Sequence, residues 1–224
     1  MTKSKYKYKD KNFIVRNETS DSFVVREVLS GAYNKLNLKK NDVCLDIGLN
    51  IGAFSVYASD KCKLIISYEP DKENFELAVK NLHINNCYNV KPFNYAVTGT
   101  DEAIRSFSVN VKKNKGAHSL IPKKGRTQSL VNCININKII QKYNPTVMKI
   151  DTEGAEYEIL KSINNFDNFR ELIFEFHHAH LDDIKTRVKY KDIINHLKTK
   201  FTSVDYRAET KGAWVTNVYC KNER

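Results

Sequence analysis

The sequence predicts an α/β protein: a mostly parallel sheet with helices on both faces and an antiparallel hairpin at its C-terminal edge. Three observations carry this. Short β-rich runs alternate with helical patterns along most of the chain, and strand–helix–strand succession requires right-handed crossovers between parallel strands. The strand-like VCLDIG runs straight into LNIGAF, so a chain with only eight glycines places two of them, Gly48 and Gly52, four residues apart at a strand end. The tail segments FTSVDYRAE and AWVTNVYCKN alternate apolar with polar residues around a short turn containing Gly212, the pattern of two antiparallel strands.

At 224 residues with 41% hydrophobic content the chain supports one well-packed domain. Residues 1–21 form a basic N-terminal arm, a loose arm or edge strand in MTKSKYKYKDK, and residues 22–224 form a single domain. No apolar run approaches the ~20 residues of a membrane span, and the basic start has no apolar stretch behind it, which argues against a secretory signal. The five cysteines, Cys44, Cys62, Cys87, Cys133 and Cys220, are odd in number and form no CxxC pair, which excludes a zinc clip or disulfide frame. A cytoplasmic, reducing location is expected. The net charge of +11 admits a nucleic-acid partner, but the lysines are spread along the whole chain and read better as solvated surface.

In chain order, FVVREVLSGAYNKL spaces Phe23, Val24, Val28, Leu29 and Tyr33 as a helix, with Asp21 or Ser22 as the cap. Strands are expected over 43–48, 64–70, 90–97, 146–154 and 172–178. Between them lie helices over 53–59, over 71–85 with Asp71 as its cap, and over EYEILKSI. Residues 98–135 fit no clean unit and read as an excursion near the site, with one strand at RSFSVNV.

Ligands of open α/β sheets lie outside the carboxyl ends of the strands. At the end of VCLDIG the loop is GxNxG rather than GxGxxG, with Asp46 before Gly48 and Asn50 between the glycines. An acid and an amide suit a ligand bearing an amino group and no phosphate. Glu69 ends the next strand, where a carboxylate accepts from both hydroxyls of a ribose. Amino acid, ribose and adenine without phosphate is S-adenosylmethionine.

The later stretch MKIDTEGAEYEIL closely resembles the signature of the FkbM family of S-adenosylmethionine-dependent methyltransferases. EVLSGAYNKL, LDIGLNIGAFSVYAS, SYEPDKENFELAVKNL, FNYAV and FEFHHAH stand in that family's order, over roughly residues 22 to 180. The resemblance implies a seven-stranded Rossmann-like class I sheet and methyl transfer to the hydroxyl of a sugar, glycan or small molecule. It adds Phe54 and Ala96 to the cofactor-binding residues Asp46, Gly48, Asn50, Gly52 and Glu69. GAHSL resembles a family segment lying over the site, which brings His118 and Ser119 near donor or acceptor.

An aliphatic hydroxyl is a poor nucleophile near neutral pH, so a base or a metal must take its proton. Asp151 and Glu153 alternate at the end of the fourth strand, as Glu175 and His177 do at the end of the fifth, and period 2 puts each pair on one face. These four are the candidate catalytic residues. Asp151, Glu175 and His177 together offer an oxygen-rich set suited to Mg²⁺ or Mn²⁺. Competing roles are a helix cap at Gly154 for Glu153 and a buried ion pair for Lys149. HHAH resembles a transition-metal cluster, but His178 and His180 have no defined partners. Two other functions fit parts of the pattern: an RNA ribose 2′-O-methyltransferase, disfavoured because no lysine stands at the end of the fifth strand, and an inactive donor-binding partner subunit, disfavoured by the intact acid and imidazole set. Methylation of base amines lacks its Asn/Asp-Pro-Pro-aromatic loop.

Overall fold

The computed structural model describes residues 2–109, 118–120, 127–177, 184–206 and 215–223. The chain opens with an antiparallel hairpin, β1 (Lys3–Tyr8) and β2 (Lys11–Arg16). This segment, expected as a loose arm or edge strand, is tied to the body. Phe13 and Val15 are buried, and Arg16 grips Asp21 through two 2.9 Å hydrogen bonds, with both side chains almost wholly out of solvent. Helix α1 (Asp21–Glu27) begins after Ser20 rather than at a capping Asp21 or Ser22, because Asp21 is committed to Arg16. It passes into a π-helical turn, Val28–Ala32, that breaks at Gly31, where φ is +117°.

Strand and helix then alternate: β3 (Val43–Ile47), α2 (Ala53–Ser59), β4 (Leu64–Tyr68), α3 (Lys72–Ile84) and β5 (Val90–Phe93). Asp71 caps α3 by accepting from the Asn74 N–H at 2.8 Å. The run expected as one strand over 90–97 is two. The Asn94 side chain donates to the carbonyls of Glu69 and Pro70, and the chain leaves the sheet there. Beyond Asn94, β6 (Ala96–Thr98), β7 (Ile104–Val109) and β8 (Thr127–Asn135) form a separate three-stranded sheet in the order β6-β8-β7.

The second half adds α4 (Ile136–Tyr143), β9 (Val147–Ile150), α5 (Glu156–Ser162), β10 (Glu171–His177), α6 (Ile184–Lys198), β11 (Ser203–Tyr206) and β12 (Val215–Lys221). The central sheet has seven strands in the order β11-β12-β10-β9-β3-β4-β5. Only β12 runs against its neighbours, and it lies between β10 and β11, so the first strand of the tail hairpin takes the edge. The expected turn at Gly212 lies outside the described residues, as do His178 and His180 of the HHAH cluster.

Strand order reverses at β3, whose neighbours are β4 and β9. That is where an open α/β sheet forms its ligand crevice. Two apolar clusters flank the sheet, one under α4 to α6 and one under the N-terminal hairpin and α1 to α3. All five cysteines are buried within this packing and unpaired. No helix among the described residues is long and apolar enough to cross a membrane.

Candidate active site

The loop after β3 turns back over its own sheet. Gly48 has φ +92°, and its N–H and that of Leu49 donate to the Tyr68 carbonyl at 3.0 and 2.9 Å. A Cβ at Gly48 would lie 1.8 Å from the carbonyl oxygen of Asp151. The backbone of the β9–α5 turn occupies that space, so close packing by itself requires a glycine at this position. Gly52 is held at φ +91°, where a Cβ would meet only ordinary packing, 3.4 Å from Ala78 Cα.

Asp46, expected to meet the amino group of a ligand, is wholly buried beneath the loop. Ser55 Oγ donates to it at 2.8 Å, and Lys149 Nζ stands 3.2 Å away while donating to the Gly48 carbonyl at 2.7 Å. The buried Asp46–Lys149 pair therefore braces the loop from below. Desolvation raises the Asp46 carboxyl, and the neighbouring ammonium counters it.

Glu69 comes directly after β4 and is buried at the wall of a cavity that also includes Gly48, Pro70, Ala96, Val97, His118 and Asp151. Its carboxylate accepts from the N–H of Asn50 at 2.8 Å and of Asp71 at 3.0 Å. Burial nevertheless pushes its pKa up to about 7, the two amides acting against that rise. Ala96 and His118 border this cavity. Ser119 does not; its hydroxyl donates to the Glu153 carbonyl at 2.7 Å. Phe54 faces elsewhere, packing edge-on against Tyr33 at 5.0 Å in a second cleft.

That second cleft, about 900 Å³, lies between α1 and the strand ends and includes Phe23, Glu27, Tyr33, Phe54, Glu175 and His177. The two cavities share Gly48, Asp151 and Glu153. All four expected catalytic side chains therefore meet where the cavities join, although by a different route from the one expected. The strand ends at Ile150, so Asp151 and Glu153 do not project by alternation. A turn places them, with Glu153 at φ +57° and Gly154 at +123°. A non-glycine residue in that region costs on the order of 1–3 kcal/mol and persists only where surrounding contacts impose it.

Those contacts come from Glu156, which sequence reasoning passed over. It is buried, and one oxygen accepts from the N–H of Thr152 and of Gly154 and from the Thr152 hydroxyl, at 3.0, 3.0 and 2.8 Å. Helix α5 starts after Ala155 with no side-chain cap, so the expected cap at Glu153 is not formed, and Glu156, the first residue of α5, folds its side chain back over the preceding turn instead. The same oxygen lies 3.1 Å from His177 Nδ1. The signal was in the sequence: Glu156 is the last acid of KIDTEGAE, and a glutamate opening a helix often reaches back to free N–H groups.

His177 Nε2 faces Asp151 and Glu153, each at 3.8 Å. Burial opposes its charge, but the Glu156 hydrogen bond and the three surrounding carboxylates outweigh it and push the pKa up to about 10. An imidazolium at neutral pH has no lone pair to offer. His177 is therefore held as a cation, well above the ~6.5 of a free imidazole. Glu175 is the group raised toward neutrality, by burial first and then by Asp151, while the Tyr33 hydroxyl donates to it at 3.2 Å.

A seven-stranded sheet in this order, with a glycine-bent loop at its switch point and a buried carboxylate beyond the adjacent strand, is the fold of class I methyltransferases. The precorrin-6y C5,15-methyltransferase of Geobacter metallireducens shares it with a TM-score of 0.52 at 14% identity, covering 93% of each chain. TYW2 of M. jannaschii, solved in complex with AdoMet, has the same score at 13% identity over 100% of this chain and 87% of that one. The chain belongs to the FkbM methyltransferases: residues 46–208 match the methyltransferase FkbM domain. Hexuronic acid methyltransferase AglP of Haloferax volcanii is 25% identical over 151 residues, which cover 67% of this chain and 59% of that protein. A probable cobalt-precorrin-6B C(15)-methyltransferase of Methanocaldococcus jannaschii is 26% identical over 165 residues, covering 71% and 89%.

Proposed function

We propose that the protein transfers a methyl group from S-adenosylmethionine to a hydroxyl of a sugar or other small molecule. The observation that carries this reading is the junction of two cavities over Asp151 and Glu153, one holding Glu69 and the other Glu175 and His177. The first cavity suits the donor: a buried carboxylate for a ribose diol, with Ala96, Val97 and Leu120 as apolar walls for a base. Bound there, the donor supplies a methyl carbon that the acceptor oxygen attacks as the sulfur leaves. Asp151 borders both cavities and takes the acceptor's proton, which it shares with Glu175. His177, held charged, keeps Asp151 and Glu153 oriented toward the junction. Proton removal of this kind contributes on the order of 10²–10⁴-fold.

Glu69→Ala is expected to weaken donor binding by roughly 1.5–3 kcal/mol per lost charged hydrogen bond. Because diol donation favours the carboxylate form, donor affinity of the wild type should rise with pH through about 7, the pKa of Glu69. Glu69→Gln should bind weakly at every pH. Calorimetry between pH 6 and 8 reads both, and an unchanged Glu69→Ala affinity would remove Glu69 from the donor site.

Asp151, Glu175 and His177 also offer ligand atoms within 4.8 Å of one another, which supports a second route through Mg²⁺ or Mn²⁺. Such an ion would have to displace the His177 proton. The base route predicts turnover that survives EDTA, climbs as pH rises through about 7, where the raised Glu175 loses its proton, and collapses in Asp151→Asn and Glu175→Gln. Loss of turnover on chelation, restored by Mg²⁺ or Mn²⁺, establishes the metal route instead. Near wild-type turnover in both variants makes the cluster structural.

A further inference from the structure

The charge of the second cleft bears on which acceptor enters it. Glu27, at the end of α1, lines the cleft with Asp151, Glu153 and the partly neutralised Glu175, so among the described residues four acidic side chains surround the space where an acceptor would lie. Among the described residues two cations line it, and they offset only part of this charge because each is shared with a carboxylate outside the cleft. Lys149 is bound to the Gly48 carbonyl and Asp46 and lies 4.0 Å from Asp151, and His177 is bound to Glu156 and lies 3.8 Å from Asp151 and Glu153. Arg26 lies against the ring of Phe23, 5.7 Å from its centroid, and does not line the cleft. Glu27 is within electrostatic reach of the junction: after burial, the charge of Asp151 is what raises its carboxyl. The wall also carries the apolar side chains of Val24, Val28, Phe54 and a Phe23 left 54% exposed, beside the polar Ser20, Tyr33 and Asn50. An exposed ring beside carboxylates suits the stacked face and hydroxyl edge of a polyol. Carboxylates gathered around one cleft repel a further anion, and like-charge contacts of this kind reject wrong partners.

We propose that the cleft accepts an uncharged or amino-bearing polyol and excludes acceptors with a carboxylate or phosphate beside the reacting hydroxyl, with Glu27 as the residue that sets this choice. The inference rests on the assignment of this cleft to the acceptor. It separates this chain from a hexuronic acid methyltransferase and from enzymes acting on a phosphodiester backbone, despite the net charge of +11.

The test measures binding and turnover separately, on donor-saturated protein with methyl glucoside, methyl glucosaminide and methyl glucuronide as probes. The glucosaminide is expected to bind at least tenfold more tightly than the glucuronide, with the glucoside between them. Glu27→Lys should shrink that ratio about tenfold, and added salt should compress it, since exposed charges are screened. A thermal melt of the variant confirms its fold, and Glu27→Gln should give an intermediate ratio. A glucuronide that binds as tightly as the glucosaminide, or a ratio unmoved in Glu27→Lys, overturns the charge rule. Bound sugars that are never methylated overturn the hydroxyl-transfer function while leaving the charge rule standing. If no probe binds, both fall.

Discussion

Gly48→Ala is expected to cost the protein its fold before it costs a ligand. The added Cβ would stand 1.8 Å from the Asp151 carbonyl oxygen, a backbone atom that cannot rotate away, at φ +92°. Strained backbone of this kind costs about 1–3 kcal/mol, and overpacking adds roughly 1–3 kcal/mol. In a chain of this length each kcal/mol lowers Tm by ~2–4 °C, so a drop on the order of 10 °C is expected. Gly52→Ala is the control. Its nearest neighbour would be 3.4 Å away, and only the φ of +91° is unfavourable, about 1–2 kcal/mol. Thermal melts of the two variants decide the matter. Equal destabilisation would show that the Asp151 contact is not the cause, and a Gly48→Ala that melts normally but fails to bind donor would return the glycine to the ligand.

Substitution of Glu156 should have the second largest effect. Glu156→Ala strips the acceptor from two backbone N–H groups and leaves His177 without its main partner. Breaking a buried ion pair costs about 3–5 kcal/mol, and the turn carrying Asp151 and Glu153 loses its anchor, so turnover should fall with stability. Glu156→Gln isolates the charge. In the wild type His177 has a pKa of about 10, against 6.5 for the free side chain. A raised histidine pKa adds stability that is complete below 6.5 and lost as pH rises through 10. Wild-type stability should therefore decline over that window. Glu156→Gln should show less of this decline, with the His177 ring titrating closer to its ordinary range by NMR. A variant whose His177 still titrates near 10 would mean that Asp151 and Glu153, not Glu156, hold the proton.

Much of the architecture was legible in the sequence because periodicity is local. The runs VCLDIG, LIISYEP and LIFEFHH became β3, β4 and β10 within a residue or two at each end, and Asp71 caps α3 as its spacing implied. The N-terminal segment, expected as a loose arm or edge strand, is a docked hairpin, and its exposed lysines hide in the sequence the buried Phe13 and Val15 that dock it. The single strand expected over 90–97 failed for a different reason: the break at Asn94 depends on carbonyls contributed by Glu69 and Pro70.

By itself the sequence determined the alternation of strands and helices, the carboxylate that ends β4, and the residues that converge at the ends of β9 and β10. These follow from backbone periodicity and from the rule that ligands meet open sheets at their carboxyl edge. Only the tertiary structure decided what each of those residues does. Asp46 went under the loop because Lys149, distant in sequence, supplied its counter-charge; Gly48 answers to the Asp151 backbone; and His177 is a cation because Glu156 folds back to meet it. Burial and the identity of the neighbour set the charge of an ionisable group, and both are properties of the packed chain, not of its local order.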